Sequence, residues 1–267
     1  GMRIETLSIV HSLPARSRHK HESVLKAVHA KVCPQASFHL LSTDDAIFYS
    51  QTLENDGTRA EGDREQNESL AFINVGLLNT EFSLYTNGQW IQRASGQCTG
   101  MAAFYSMLKD GLRQRGISRS IRQIDGIIKK GRNVNGNWMQ TYFSRDIDVS
   151  DETNAALVRL TADITKQAQS LFGNYAHDLS KIIVTGGGAP LVFPFIKDLW
   201  PQISIDENAV YSVAIGCARY GRQQSVLLAP TNPDENEFFR LQFRVYKKKE
   251  PALYDFLHGM SSSSANR

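Results

Sequence analysis

The run Ile182-Ile-Val-Thr-Gly-Gly-Gly-Ala-Pro-Leu-Val-Phe-Pro-Phe-Ile, residues 182–196, constrains this chain more than any other stretch. Ile182, Ile183 and Val184 are apolar and β-branched and predict a buried strand, and the glycines predict a tight turn leaving it. Leu191, Phe195, Ile196 and Leu199 then suit a short helix packing back on the sheet. With no side chain in the way, Gly186, Gly187 and Gly188 let backbone amides approach a ligand closely. An ordinary strand-to-helix turn has the same signature, so the neighbouring segments decide between the two.

At 267 residues the chain suffices for one large domain or two modest ones. Hydrophobic content of 41% and charged content of 21% are ordinary for a globular protein, and a net charge of +3 does not by itself imply nucleic acid. No apolar run is long enough to span a bilayer and no signal peptide is evident, so a cytoplasmic protein without membrane contact is expected. Cys33, Cys98 and Cys217 are odd in number and widely spaced, which indicates neither a disulfide framework nor a zinc site, and no metal ligand set is predicted.

Residues 7–13 predict a strand stopped by Pro14. The basic stretch 16–21 predicts a solvated loop, since His19 and His21 amid cations make a poor metal site. Residues 22–32 predict a helix with Val24, Leu25, Val28 and Val32 on one face. Residues 38–41 predict a second strand, and Ser42-Thr-Asp-Asp caps a helix through Ala46, Ile47 and Tyr49. Residues 54–70 are polar, mix both charge signs and predict an exposed connector.

Residues 71–90 predict two strands joined at positions 76–79, with a further hairpin turn at Asn87-Gly88. A helix follows over 101–112, with Met101, Phe104, Tyr105, Leu108 and Leu112 as core. A basic amphipathic segment, 121–130, ends at Gly131. This order, continued by a long helix, a strand and Gly-Gly-Gly, resembles the second half of an actin-like ATPase. It is most similar to the plasmid-segregation (ParM/StbA-like) bacterial and archaeal actins. Their second phosphate loop has the form Asp-hydrophobic-Gly-x-x-Thr-Thr-Asp-hydrophobic; here it is Asn74-Val-Gly-Leu-Leu-Asn-Thr-Glu-Phe. The segment 127–136 is similar to a glycine-bounded stretch of the family's smaller subdomain.

Residues 150–172 predict a helix capped at Ser150, with Leu157, Leu160, Ile164, Ala168, Leu171 and Phe172 as its stripe. Val213-Ala-Ile-Gly-Cys-Ala-Arg-Tyr-Gly resembles the family's last helix, and the small residues Ala209, Ala214, Gly216 and Ala218 predict close packing on a sheet. The resemblance implies an α/β, actin-like (ribonuclease H-like) mixed-sheet fold. Residues 1–53 would be a partial first domain, 54–70 a connector, 71–222 a complete second domain, 223–238 a linker and 239–267 a strand–helix tail. It further implies ATP and Mg2+, with Gly76 and Thr80 at the phosphates and Gly186, Gly187 and Gly188 at the adenosine and α-phosphate end.

The departures from the family pattern bear on chemistry. Asn74 replaces the aspartate that positions magnesium and carries no charge. Leu77 and Leu78 stand where polar residues face the phosphates, and they have no donors. The acid that orients the attacking water falls at the start of the preceding helix, where Asp44 is the nearest carboxylate. Asp44 and Asn74 are therefore the catalytic candidates. The family's first loop, Asp-x-Gly, belongs well before Asn74, yet residues 2–53 contain no glycine. The expectation is a portion of a longer protein or a descendant that no longer hydrolyses nucleotide.

In the tail, Leu241, Phe243 and Val245 alternate with Gln242 and Arg244, and a short helix follows over 252–258. This resembles the front of a ribbon–helix–helix module, in which Gln242 and Arg244 would read bases and Lys247 would contact phosphate. A terminal strand and helix docking on the body is the competing prediction. The leading function is thus a nucleotide-regulated, self-assembling filament protein of the plasmid-partition type, working with a DNA-binding adaptor and with ATP hydrolysis impaired. The alternative is a non-catalytic actin-fold scaffold that contacts DNA through the tail. A sugar kinase or chaperone ATPase of the same group is a third, for which no substrate-binding aspartate is identifiable.

Overall fold

The computed structural model describes residues 8–59, 68–133 and 135–228. Gln242, Arg244 and Lys247 lie outside the described residues.

The first part of the chain runs β1 (Ser8–Leu13), α1 (Ala15–Val32), β2 (Ser37–Ser42) and α2 (Thr43–Thr52). β1 and β2 are parallel, with Ser8 opposite Ser37 and Leu13 opposite Ser42. The basic stretch 16–21 is helical rather than a loop. Pro14 sets the entry with φ −51°, and its carbonyl accepts from the amides of Ser17 and Arg18, so α1 starts at Ala15. Arginine and lysine are good helix formers, and their charge hides the periodicity without opposing it. The packed side of α1 is also not the valine side. Leu25 and His29 turn inward, the His29 ring lying tilted 5.0 Å from that of Phe38, while Val24, Val28 and Val32 are 58%, 52% and 72% exposed.

The larger sheet has the order β10 (Ile203–Ile205), β9 (Lys181–Thr185), β3 (Ser69–Val75), β4 (Asn79–Thr86), and β4 also pairs β5 (Gln89–Trp90) and β6 (Gly96–Thr99). β3 is antiparallel to β4 and parallel to β9, and β9 is parallel to β10. An antiparallel meander therefore continues into a parallel half, as expected of a mixed sheet. The helices are α3 (Met101–Gln114), α4 (Ile121–Lys130), α5 (Ser150–Phe172), α6 (Ala189–Ile196) and α7 (Ser212–Leu228); a small hairpin, β7 (Met139–Tyr142) and β8 (Arg145–Asp148), precedes α5.

Side chains alternate across a strand, and in β3 both sets are apolar because both faces are covered. Ala71, Ile73 and Val75, with Phe82 and Leu84 of β4, join Phe104, Leu108, Leu157, Leu160 and Phe172 in the main core. Leu70 and Phe72, with Tyr85 and Ile183, meet Ile47 of α2 in a second, smaller core. Asn74 is next in the second series, and Glu81 and Ser83 share its face on β4. The alternation thus delivers three polar side chains to the α2 side of the sheet.

Two local expectations need correction. Ser150 is the first helical residue of α5 and makes no cap; its hydroxyl accepts from the Trp138 amide at 2.8 Å. The small residues of α7 serve chiefly a helix and only secondarily a sheet: α7 packs mainly on α2, and also on β1. Gly216 lies directly against the backbone of Ala46.

Candidate functional site

A cleft of about 690 Å3 separates the start of α1 and the β2–α2 junction from β4, β5 and β6. Its position depends on the start of α2. The Ser42 hydroxyl accepts from the Asp45 amide at 2.9 Å, and the Asp45 carboxylate accepts from the Ser42 amide at 3.4 Å, a reciprocal capping box. With the first turn so fixed, the helical phase sets Asp44 against the sheet and Asp45 at the edge. Tyr85 holds Asp45 from below, donating to it at 2.9 Å. Burial, then the charges of Asp45 and Asp44, push the Tyr85 phenol well above its ordinary pKa, so it acts only as a donor.

Asp44 is 7% exposed, and its Oδ1 is buried with no hydrogen-bond partner. Burial first, and then the neighbouring charge of Glu81, push its pKa up to about 7; the Ser83 hydroxyl opposes the shift only in part. Glu81 is raised for the same leading reason, partly offset by the Asn74 amide, which donates to it at 3.2 Å. Asn74 and Glu81 sit directly opposite one another across β3 and β4. The structure thus brings the two catalytic candidates, Asp44 and Asn74, to either side of Glu81, a residue not expected at the site. Its signal was the register: a glycine turn at 76–79 pairs position 74 with position 81.

The glycine candidates form a different arrangement. The amide of Gly76 donates to the Asn74 and Asn79 carbonyls, that of Gly186 to Ala209 and that of Gly188 to Val75. These three amides are bonded to backbone carbonyls inside the protein, where the expectation was exposed N–H groups. Gly186, at φ +90°, and Gly188 are small because the β9–α6 turn rests on the end of β3. A Cβ at Gly186 would come 2.5 Å from Asn74 Oδ1, and one at Gly188 2.5 Å from Val75 Cγ1. Gly187 is exposed, with nothing within 4 Å of the same position. Thr80 is fully buried and donates to the Thr99 carbonyl at 2.9 Å. Leu77 and Leu78 are 61% and 74% exposed at the tip of the turn.

These contacts separate packing from binding. Gly188→Ala should cost about 1–2 kcal/mol in denaturant unfolding, since Val75 and Met101 must give way. Gly187→Ala should leave stability unchanged. Any loss of ligand affinity in the second variant then reports backbone approach alone, and a destabilised Gly187→Ala protein would contradict the geometry.

No family model and no curated protein matches the chain. Solved structures do. The chain is similar to an archaeal actin homolog, with TM-score 0.63 and 11% identity over 82% of this chain and 71% of that one. It is similar to ParM in a 15-stranded filament from Clostridium botulinum, with TM-score 0.62 and 17% identity over 80% of this chain and 66% of the other. MreB5 of Spiroplasma citri bound to ADP gives TM-score 0.62 and 13% identity over 83% of this chain and 70% of that chain.

The fold is actin-like.

The chain spans about two thirds of the length of these structures. An actin-like fold raises the question of whether the site fits ATP and Mg2+. The cation fits the carboxylates: Asp44 and Glu81 are hard oxygen donors brought together at a cost, and one buried oxygen of Asp44 is unpaired. Among the described residues no group of three or more His, Cys, Asp or Glu could hold a metal. A magnesium ion at Asp44 and Glu81 would therefore complete its shell with water or ligand phosphate, and when bound it would neutralise phosphate charge. The phosphates do not fit the amides of Gly76, Gly186 and Gly188. Among the described residues no helix is long and apolar enough to cross a membrane.

Proposed function

We propose that the chain is an actin-like, nucleotide-regulated assembly protein of the plasmid-partition type, cytoplasmic, whose cleft binds ATP with Mg2+ but hydrolyses it poorly. The observation that carries this reading is the cluster of Asp44, Asn74 and Glu81 at one end of an actin-like cleft, with an amide where the family has a carboxylate. Such an amide leaves one fewer negative charge to hold the metal. Self-association is supported by the similarity to ParM in a filament, and heterologous contacts whose rotation does not close would build such an open polymer.

Calorimetry with Mg2+ and ATP, followed by phosphate release and sedimentation, tests it. The wild-type chain should bind ATP, release phosphate slowly and sediment faster with nucleotide. Asn74→Asp places a third carboxylate 3.2 Å from Glu81. That variant should melt lower in chelator, recover its melting temperature in Mg2+, and release phosphate faster. Absence of ATP binding in both proteins would remove the reading.

The second reading, a non-catalytic scaffold, is favoured by one observation. The β3–β4 turn offers the exposed apolar pair Leu77 and Leu78 in place of donors. Under that reading a partner protein, such as a DNA-binding adaptor, covers the pair, and Leu77→Ser with Leu78→Ser abolishes assembly without affecting nucleotide.

A further inference from the structure

The glycine turns leave a gap in the cleft's chemistry, because their committed amides do not supply phosphate contacts. The opposite wall fills it. α1 is an 18-residue helix with no acidic residue in its first turn and no side-chain cap, since Pro14 holds the N-cap position. Its opening turns carry Arg16, Arg18, His19, Lys20 and His21. Cations at a helix N-terminus oppose the macrodipole, which favours negative charge there. Among the described residues no carboxylate lies within ion-pair distance of Arg16 or His19, and Arg18 reaches only Asp45, at 4.0 Å.

Arg16, Arg18 and His19 line the same cleft as Asp44 and Glu81. The α1 wall thus carries an excess of positive charge, its one carboxylate, Glu22, being paired with Lys26, while the other wall holds a buried carboxylate oxygen without a partner. A ligand carrying both a divalent cation and several phosphates satisfies both walls at once. We infer that the first turns of α1, through Arg16 and Arg18, are the phosphate-binding element of this cleft, and that its ligand is a metal-complexed polyphosphate such as a nucleoside triphosphate. This rests on the nucleotide reading above and identifies the residues that would carry it. Guanidinium groups bind phosphate oxygens in pairs, so they serve without any glycine loop.

The test compares the full chain with Arg16→Gln/Arg18→Gln and with Lys109→Gln/Arg113→Gln, which removes the same charge from the exposed side of α3. Each is titrated with Mg2+-ATP, Mg2+-tripolyphosphate and adenosine by calorimetry, with Trp90 fluorescence from the cleft as a second readout. Melting curves confirm that all three are folded. Arg16→Gln/Arg18→Gln should bind Mg2+-ATP and Mg2+-tripolyphosphate at least tenfold more weakly, with adenosine unaffected and the α3 variant like wild type. Equal affinity in both double variants, or a loss for ATP but not tripolyphosphate, would overturn the α1 assignment and leave nucleotide binding standing. A wild-type chain that binds neither phosphate ligand would overturn both.

Discussion

Replacing Gly216 by alanine should lower stability by about 3 kcal/mol, at the upper end of overpacking costs, and the melting temperature by roughly 6–12 °C for a chain of this size. The sign is the informative part. In an exposed helix the same substitution stabilises by about 1 kcal/mol, because glycine is a poor helix former. Here an added Cβ would overlap the carbonyl oxygen of Ala46 and crowd the Ser50 amide. Both are backbone atoms of α2 and cannot rotate away, so α7 and α2 must separate. Separation would also strip the Arg219 guanidinium from the Ser50 carbonyl, to which it donates at 2.5 Å. Hydrogen exchange should rise in β1, β2 and α2 while β3 and β9, buried in the main sheet, keep their protection. Unchanged or higher stability would mean that α2 and α7 do not pack as described.

Asp44→Asn should stabilise the protein at pH 8 by on the order of 3 to 4 kcal/mol in the absence of divalent cations, and have little effect at pH 4. The folded-state pKa of Asp44 is about 7, whereas an unfolded aspartate titrates near about 3.9. Below the unfolded value both states are protonated and the side chain carries no penalty. Between the two values the unfolded chain releases its proton and the folded one keeps it, so stability falls as pH rises, by about 1.4 kcal/mol per unit. Above pH 7 the loss is complete. Asparagine does not titrate and removes the slope. Urea unfolding of both proteins at pH 4, 6 and 8 measures it directly, and parallel pH profiles would show that Asp44 is not buried as the structure has it. Adding Mg2+ at pH 8 should stabilise the wild-type chain and leave the variant unchanged, which connects the strain at Asp44 to the ligand proposed for the cleft.

Much of the second half could be read from local pattern alone. The β9 strand with its Gly-Gly-Gly turn, the hairpin at Gly76 and the α5 stripe each carry their own signal within a few residues. Elements formed through pairing were harder. β6 is Gly-Gln-Cys-Thr, which has no strand signature, and exists because it pairs with β4. The β7–β8 turn puts Phe143 and Ser144 at φ 45° and 60°, conformations for which Asn-Gly is the usual sign. The candidate site shows the same division. Asp44 and Asn74 follow from resemblance and local position, but that Asp44 would be buried against Glu81 depends on packing between α2 and a sheet edge. The packing of Gly186 and Gly188 on the end of β3 was hidden for a related reason: a bare glycine signals close approach, and the sequence does not say whether the approaching group is ligand or protein.

The pairing of α2 with α7 also orders events during synthesis. β1, α1, β2 and α2 leave the ribosome before the main sheet, whereas the helix that covers α2 and β1 is completed only at residue 228. At ordinary elongation rates the interval from the end of α2 is roughly 9 to 35 seconds. Throughout it the apolar side of α2 and the two-strand sheet lack their main cover, and two parallel strands are a weak unit on their own. The main sheet can assemble around its own core meanwhile, so β1, α1, β2 and α2 are made before that sheet yet gain their cover after it, and depend on chaperone protection in the interval.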